Sequence, residues 1–137
     1  MILPAELKIR RETLGLSQHE LALRLGVTEE VFSGWESGRH VPKDPVSIRT
    51  LLQDLTDVFV EIIDETVDNL ENASGKLNSP TITVRTYLTD REYWEHDTRA
   101  ARLEIPASMH RQAVGIAVAL SETENGVNVT IKTGTDH

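Results

Sequence analysis

Apolar residues recur at spacings of three and four over the first part of the chain, in three short blocks. This spacing predicts helices over residues 4–13, 17–25 and 28–37, each with one apolar face. A glycine stands where each helix should end: Gly15, Gly26 and Gly38. The positions expected to face a common core are Leu7, Ile9 or Arg10, Leu14, Leu21, Ala22, Leu25, Val31 or Phe32, and Trp35.

Residues that cap helices stand at the starts of the second and third blocks. Ser17 and Glu20 form a capping-box pattern, in which each side chain accepts a hydrogen bond from the backbone amide of the other residue. Thr28 takes the capping position of the third helix. Two helices joined by so short a glycine turn have the geometry that places a recognition helix in the DNA major groove.

A longer apolar stripe follows Asp44 and Pro45, a capping residue and a proline that suits the first helical position. Its period predicts one helix of ~40 Å that runs to about Asn72. The apolar residues are Ile48, Leu51, Leu52, Leu55, Val58, Phe59, Ile62, Ile63, Val67 and Leu70. The opposite face is acidic, with Asp54, Asp57, Glu61, Asp64, Glu65, Asp68 and Glu71.

The far half of this helix extends beyond what a small helical head can cover. Burial of one apolar side chain contributes roughly 1.5–3 kcal/mol, so an exposed stripe would drive association. We expect the C-terminal segment to cover one side of the stripe and a second copy of the chain to cover the other. The predicted dimer interface is Val58, Ile62, Ile63, Val67 and Leu70.

The remaining residues predict a small β-α-α-β module. Residues 73–80 are rich in turn formers, and residues 81–88 alternate with the period of a strand. Thr89 or Asp90 then caps a short helix that carries a tyrosine and a tryptophan.

A helix rich in small residues is predicted over residues 106–120, and a turn at residues 125–126 leads to a closing strand at 127–131. The fold class is therefore α+β. The predicted domains are a helix-turn-helix head at residues 1–45, a linking helix at 46–73 and an α+β dimerisation module at 80–134.

The charge is unevenly distributed along the chain. The net charge is −8, yet residues 1–50 contain seven basic and seven acidic side chains, so the whole excess lies in residues 51–137. A neutral head permits local DNA binding, while the acidic part predicts weak non-specific affinity. With 39 % hydrophobic and only 4 % aromatic residues, the core should consist mainly of aliphatic side chains.

Nothing in the sequence predicts catalysis, a metal or a cofactor. The chain has no cysteine, and His19 lacks the second histidine of a zinc-binding helix. The scattered polar residues Glu92, Glu95, His96, Asp97 and His110 show no spacing of a nucleophile with a base. No apolar run reaches transmembrane length and no leader pattern is seen, so we expect a soluble, cytoplasmic protein without a membrane partner.

Residues 7–38 carry Leu-Ser-Gln-x-Glu-Leu-Ala, Leu-Gly-Val-Thr and Trp-Glu-Ser-Gly in this order. The segment resembles the Cro/repressor (Xre-type) helix-turn-helix family, which implies binding to double-stranded DNA. Tyr87, Tyr93-Trp94 and Pro106-Ala-x-x-His110-Arg111 extend a resemblance over most of the chain. That narrower group comprises single-head regulators of unknown function related to the anti-CRISPR-associated autorepressors, and the resemblance implies that the tail forms the dimer.

The resemblance also implies which residues face DNA. It assigns Gln18, Thr28, Ser37 and Arg39 to phosphates, and Glu29, Glu30, Ser33 and Gly34 to bases. Ser17 at the helix start and His40 and Lys43 in the turn after the third helix complete the set. The two glutamates either accept from cytosine or only complement the positive helix end. The resemblance further implies a structural ion pair between Arg11 and Glu36.

Two functions fit these features. One is a homodimeric transcription regulator, most simply a repressor of its own or a neighbouring operon, that binds a palindromic operator. The alternative is an antitoxin whose acidic tail binds a basic toxin protein while the head represses the shared operon. RNA binding finds little support, because the chain lacks a basic surface with interleaved aromatic residues.

Overall fold

The structure is a computed structural model that describes residues 1–76 and 81–133. The chain divides into two compact units, Met1–Val58 and Phe59–His137, which we call the N-terminal unit and the C-terminal unit. Across the described residues, no helix is long and apolar enough to cross a membrane. The elements in chain order are α1 (Pro4–Thr13), α2 (Gln18–Leu25), α3 (Glu29–Ser37), α4 (Pro45–Lys76), β1 (Thr81–Thr86), α5 (Asp90–His96), α6 (Thr98–Leu103), α7 (Ala107–Asn125) and β2 (Asn128–Thr133).

The first three helices confirm the predicted bounds, because capping residues and glycines mark their ends. Ser17 and Glu20 form the predicted capping box at the start of α2. The apolar faces meet in a core that contains Leu7, Leu14, Leu16, Leu21, Ala22 and Phe32. The predicted place of Ile9 or Arg10 in this core is wrong: Ile9 is 63 % exposed, and Arg10 lies at the surface beside Glu6.

The first part of α4 belongs to the core of the N-terminal unit. Asp44 caps this helix by accepting hydrogen bonds from the amide and the hydroxyl of Ser47, at 3.1 and 2.6 Å. Ile48, Leu52 and Leu55 are buried at helical spacing. The predicted division set the long helix apart from the head at residue 45, whereas the chain divides inside the helix, after Val58.

The C-terminal unit contains one helix more than the predicted β-α-α-β order. α6 follows α5 directly, and Asp97 both ends α5 and caps α6 by accepting from the Ala100 amide at 2.9 Å. The long helix runs on to Lys76, so the predicted linker begins later than residue 73. The rest of that linker, residues 77–80, and both limits of the predicted module at 80–134 lie outside the described residues.

The two strands form a parallel pair in which Thr81 lies opposite Asn128 and Thr86 opposite Thr133. β1 ends at Thr86, two residues before its predicted end, and β2 begins and ends later than its predicted range, residues 127–131. Helix α7 likewise runs five residues beyond the predicted end at 120. One face of the sheet packs on α4 and α7 in a cluster of Leu70, Ile82, Val114 and Val118. The predicted α+β class is confirmed.

Part of the predicted dimer interface is covered by the chain itself. Ile62 and Leu70 are buried within the C-terminal unit, so their assignment to a partner is corrected. Val58, Ile63 and Val67 are only partly buried. Val60 lies outside the predicted interface, yet it is 46 % exposed and lies one helical turn from Ile63.

Four aromatic rings pack together in the C-terminal unit. Tyr93 stacks on Tyr87 with ring centroids 5.1 Å apart and also contacts His110 at 4.6 Å, while Tyr87 contacts His96. His110 Nδ1 lies 2.8 Å from the hydroxyl of the buried Thr86. Burial lowers the pKa of His110 to about 4, against a smaller opposing effect of Asp97.

The low pKa of His110 predicts that the protein loses stability in acid. A histidine that is neutral in the fold binds its proton only after unfolding, so stability is complete above the unfolded pKa of about 6.5 and falls as the pH approaches 4. The expected loss is about 3 kcal/mol of unfolding free energy. Urea unfolding of the wild type and His110→Gln between these pH values measures it, and the variant should lack this part of the pH dependence. An NMR titration of His110 with a midpoint near 6.5 would contradict the assignment.

Candidate nucleic-acid interface

The turn between α2 and α3 leaves the start of α3 at the surface. Gly26 ends α2 with a φ of 72°, a conformation that glycine adopts without steric cost. Thr28 caps α3 by accepting a hydrogen bond from the Val31 amide at 3.1 Å. Thr28, Glu29 and Glu30 are all exposed. The first turn of α3 therefore presents its side chains and its positive helix end to the outside.

A buried ion pair joins α1 to the end of α3. Arg11 donates from Nε and Nη2 to the two carboxylate oxygens of Glu36, at 2.7 and 3.0 Å, and from Nη1 to the carbonyl of Leu16 at 2.8 Å. The Glu36 side chain is only 3 % exposed. This hydrogen bonding raises the pKa of Arg11 against the opposing effect of burial. The ion pair implied by the resemblance is confirmed.

The start of α2 is tied to the same carboxylate. Gln18 Nε2 donates to Glu36 Oε1 at 2.9 Å, while the Ser17 hydroxyl accepts from the Glu20 amide at 3.0 Å. Gln18 thus has an internal partner that the sequence did not reveal, because the contact joins residues far apart in the chain. This contact fixes the start of α2 relative to α3. Contact of Ser17 and Gln18 with phosphates stays a prediction.

Gly34 faces the protein, which corrects its place among the predicted base-contacting residues. It is buried, and a Cβ atom at this position would collide with the ring of His40. The His40 amide also donates to the Gly34 carbonyl at 3.2 Å. The glycine lets the chain fold back on α3 after the helix ends. The His40 ring lies against Gly34, so this contact helps to define the path of the turn after α3.

The remaining polar residues of the turn lie at the surface. Arg39 Nε donates to the hydroxyl of Ser37 at 3.1 Å, and this hydroxyl donates to the Gly34 carbonyl at 3.2 Å. The side chains of Ser37, Arg39 and Lys43 are exposed. The structure therefore brings two cationic side chains close to the end of α3, where long basic side chains suit contact with phosphate oxygens.

Apart from Gly34, the three other residues predicted to contact bases have side chains that are at least partly exposed. Glu29 and Glu30 are exposed in the first turn of α3, and Ser33 is half-buried. His19 was not in the predicted set, yet its Nδ1 atom lies 3.8 Å from Glu29 Oε2. No local pattern indicated this neighbour, because it depends on how α2 and α3 cross.

The comparisons with known proteins agree with this geometry. Residues 3–53 match a family model described as a helix-turn-helix domain. The matched range covers α1, α2, α3 and the first turns of α4, and it supports a DNA-binding regulator. The search of curated proteins found no match.

Proposed function

We propose that the protein is a homodimeric, sequence-specific DNA-binding transcription regulator, and in the simplest case a repressor, that acts in the cytoplasm on a palindromic operator. The observation that carries the proposal is the exposed first turn of α3, held at a defined angle to α2 inside a helix-turn-helix domain. A helix presented in this way enters the major groove with its N-terminal residues against base edges. The proposal assigns the chain no catalytic role.

Contacts with phosphates and with bases are divided between two parts of this surface. Arg39 and Lys43 follow α3 and suit phosphate contact, which sets orientation without sequence preference. Glu29, Glu30 and Ser33 lie where base edges would be reached, and a glutamate there accepts a hydrogen bond from cytosine N4. This donor–acceptor chemistry favours operators with a cytosine at the position that α3 contacts.

A dimer supplies the affinity that one small domain lacks. A single module buries too little surface for tight specific binding, whereas two heads on adjacent half-sites add their contacts. Val60, Ile63 and Val67 form a partly exposed apolar stripe along α4 in the C-terminal unit. A two-fold partner would cover this stripe, and the operator would then be palindromic with half-sites about one helical turn apart.

Selection from a random duplex library tests the function directly. The full-length chain should enrich a palindrome, and a labelled duplex of that sequence should shift at lower protein concentration than a scrambled one. A fragment from upstream of the chain's own gene tests autorepression in the same assay. Enrichment of a single unpaired half-site would contradict the palindromic dimer, and no enrichment at all would contradict sequence-specific binding.

Replacing Arg39 with alanine should weaken binding to all duplexes alike. Because we assign this side chain to a phosphate, its loss should also reduce the slope of log K against log salt by about one. Fluorescence anisotropy at several salt concentrations measures both effects. Arg91→Ala is the matched control, since Arg91 is exposed and lies in the C-terminal unit. A changed base preference in Arg39→Ala would instead assign the residue to base contact.

A second candidate function rests on the acidic face of α4. Asp57, Asp64 and Glu71 are exposed and border the partly exposed apolar stripe at helical spacing. Such a surface favours a basic partner protein, as expected for an antitoxin that neutralises a toxin. Co-expression with the products of adjacent genes distinguishes the two functions. A stable complex with a small basic protein whose toxicity is suppressed would favour the antitoxin.

A further inference from the structure

A cavity of about 750 Å³ lies within the N-terminal unit, and we call it the N-terminal cavity. It is lined by the end of α2, by α3, by the turns that follow these two helices and by the start of α4. Pockets that bind small organic molecules enclose about 300–1,000 Å³ and are lined mainly by apolar side chains. The apolar lining residues here are Leu25, Val27, Val31, Trp35, Val41 and Ile48.

Part of this apolar lining is accessible from outside. Val31 is 39 % exposed and Val41 is 75 % exposed. Trp35 packs against the buried Phe32 with ring centroids 5.8 Å apart, yet Trp35 itself is only partly buried. A flat apolar group in the cavity would remove surface of these side chains from water and could stack on the indole, and both effects favour binding.

Two cationic side chains of the lining have no counterion. Arg39 donates through Nε to the neutral hydroxyl of Ser37 at 3.1 Å. Neither Arg39 nor Lys43 forms an ion pair within residues 1–76 and 81–133, and both are exposed. A carboxylate on a bound molecule would therefore find two cations that no other described carboxylate uses.

The other charged groups of these elements do not cancel this preference. Asp44 lines the cavity, but its carboxylate caps α4, and hydrogen bonds from the hydroxyl and the amide of Ser47 lower its pKa. Glu36 does not line the cavity and is paired with Arg11. The lining thus has two cations against one carboxylate, and His40 would add positive charge when protonated. This balance favours an anion.

We propose that the N-terminal cavity binds a small organic molecule with an aromatic body and a single carboxylate. The body contacts Trp35 and the valines, and the carboxylate pairs with Arg39 and Lys43. These are the cations that the proposed function assigns to phosphates, so bound ligand and bound DNA exclude each other and the ligand acts as an inducer. The inducer role rests on the proposed function, whereas ligand binding itself does not.

Three compounds with the same naphthalene body test the charge preference. They are 1-naphthaleneacetate, the neutral 1-naphthaleneacetamide and the cationic 2-(1-naphthyl)ethylamine, each titrated into the full chain by NMR. We expect the acetate to bind at least about fivefold more tightly than the acetamide, and the amine to bind most weakly. The indole N–H signal of Trp35 should shift. That of Trp94 should not, because Trp94 lies in the C-terminal unit and donates to the Ile105 carbonyl at 2.8 Å.

The double variant Arg39→Gln/Lys43→Gln should bind the acetate and the acetamide equally and keep the wild-type affinity for the acetamide. A merely structural role of these side chains would change both affinities together. Lys8→Gln is the matched control, since Lys8 is exposed on α1 and does not line the cavity, so the preference should persist. Absence of acetate binding would overturn the proposal. So would tighter binding of the acetamide or the amine, a preference that survives the double variant, or a shift of the Trp94 signal in place of that of Trp35.

Competition with DNA is measured separately, by fluorescence anisotropy with the selected palindrome. At about ten times its dissociation constant, 1-naphthaleneacetate should weaken operator binding at least about tenfold, whereas sodium acetate at the same ionic strength should not. Binding of 1-naphthaleneacetate without this effect would overturn the inducer role. If no duplex is selected while 1-naphthaleneacetate still binds, the proposed function fails together with the inducer role, and the ligand site stands.

Discussion

Arg11→Ala should destabilise the N-terminal unit by about 3 kcal/mol. The Glu36 side chain is only 3 % exposed, and without Arg11 its remaining hydrogen-bond donor within the described residues is the Gln18 amide. It also removes the donor to the Leu16 carbonyl. A buried charge without its counterion is costly because neither water nor a cation replaces the lost interaction. Urea unfolding of the full chain, followed by circular dichroism, measures the loss.

The neighbouring arginine provides a matched control for this prediction. Arg10 pairs with Glu6 at the surface and its side chain is 45 % exposed, so Arg10→Ala should change stability by less than about 1 kcal/mol. The double variant Arg11→Met/Glu36→Leu should recover much of the loss, because apolar side chains can replace a buried ion pair. Unchanged stability of Arg11→Ala together with lost DNA binding would show that Arg11 contacts DNA instead.

Val60→Glu should convert the proposed dimer to a monomer and lower operator affinity by about 100-fold. The substitution places a carboxylate in the apolar stripe that we assign to the partner, and loss of the second head removes the gain from bivalent binding. Val60 is already 46 % exposed, so the fold of the single chain should tolerate the change. Sedimentation velocity at micromolar concentration and a gel shift with the selected palindrome measure the two effects.

Val46→Glu is the control for the dimer prediction. Val46 is 71 % exposed on the first turns of the same helix, in the N-terminal unit, and its replacement should leave the dimer intact. A chain that ends after Val58 should be a folded monomer with weak operator affinity, since it retains the buried residues Ile48, Leu52 and Leu55. A monomeric wild type would contradict both the dimer and the palindromic operator.

Salt gives an independent check on this interface. Asp57, Asp64 and Glu71 border the stripe, so two copies would bring like charges together. Screening these charges should strengthen the dimer as ionic strength rises, while DNA binding weakens. The opposite salt dependence of the two equilibria would distinguish the proposed dimer from a complex with a basic protein, which salt would weaken.

Local physical chemistry determined the N-terminal helices from the sequence alone. The capping box at Ser17 and the left-handed glycines Gly26 and Gly38 act within one helical turn of their own positions. The same residues therefore specify these helix ends wherever the helices pack. The long α4 was predictable for a similar reason, since its apolar period persists over many turns.

The break between α5 and α6 has a weak local signal, the Asp97 cap that accepts from the Ala100 amide. The sequence has no glycine or proline there, and α6 ends at Leu103 before Glu104, a non-glycine residue with a φ of 53°. Tyr93 of α5 and Ala100 of α6 are both buried in the core on either side of this break. The parallel pairing of β1 with β2 was equally hidden, because alternation within a strand specifies neither a partner nor a direction.

The candidate sites show the same division between local pattern and tertiary contact. The sequence determined which segment forms the third helix of the helix-turn-helix domain and which helix carries an apolar stripe. It did not determine that His40 covers Gly34, that Gln18 holds Glu36, or that Ile62 is buried while Ile63 is only partly covered. The side chains of adjacent helical residues point about 100° apart. An apolar period therefore identifies the buried face of a helix, but not which residues lie at the border of that face. Only the packing of the other elements decides which of these residues remains for a partner.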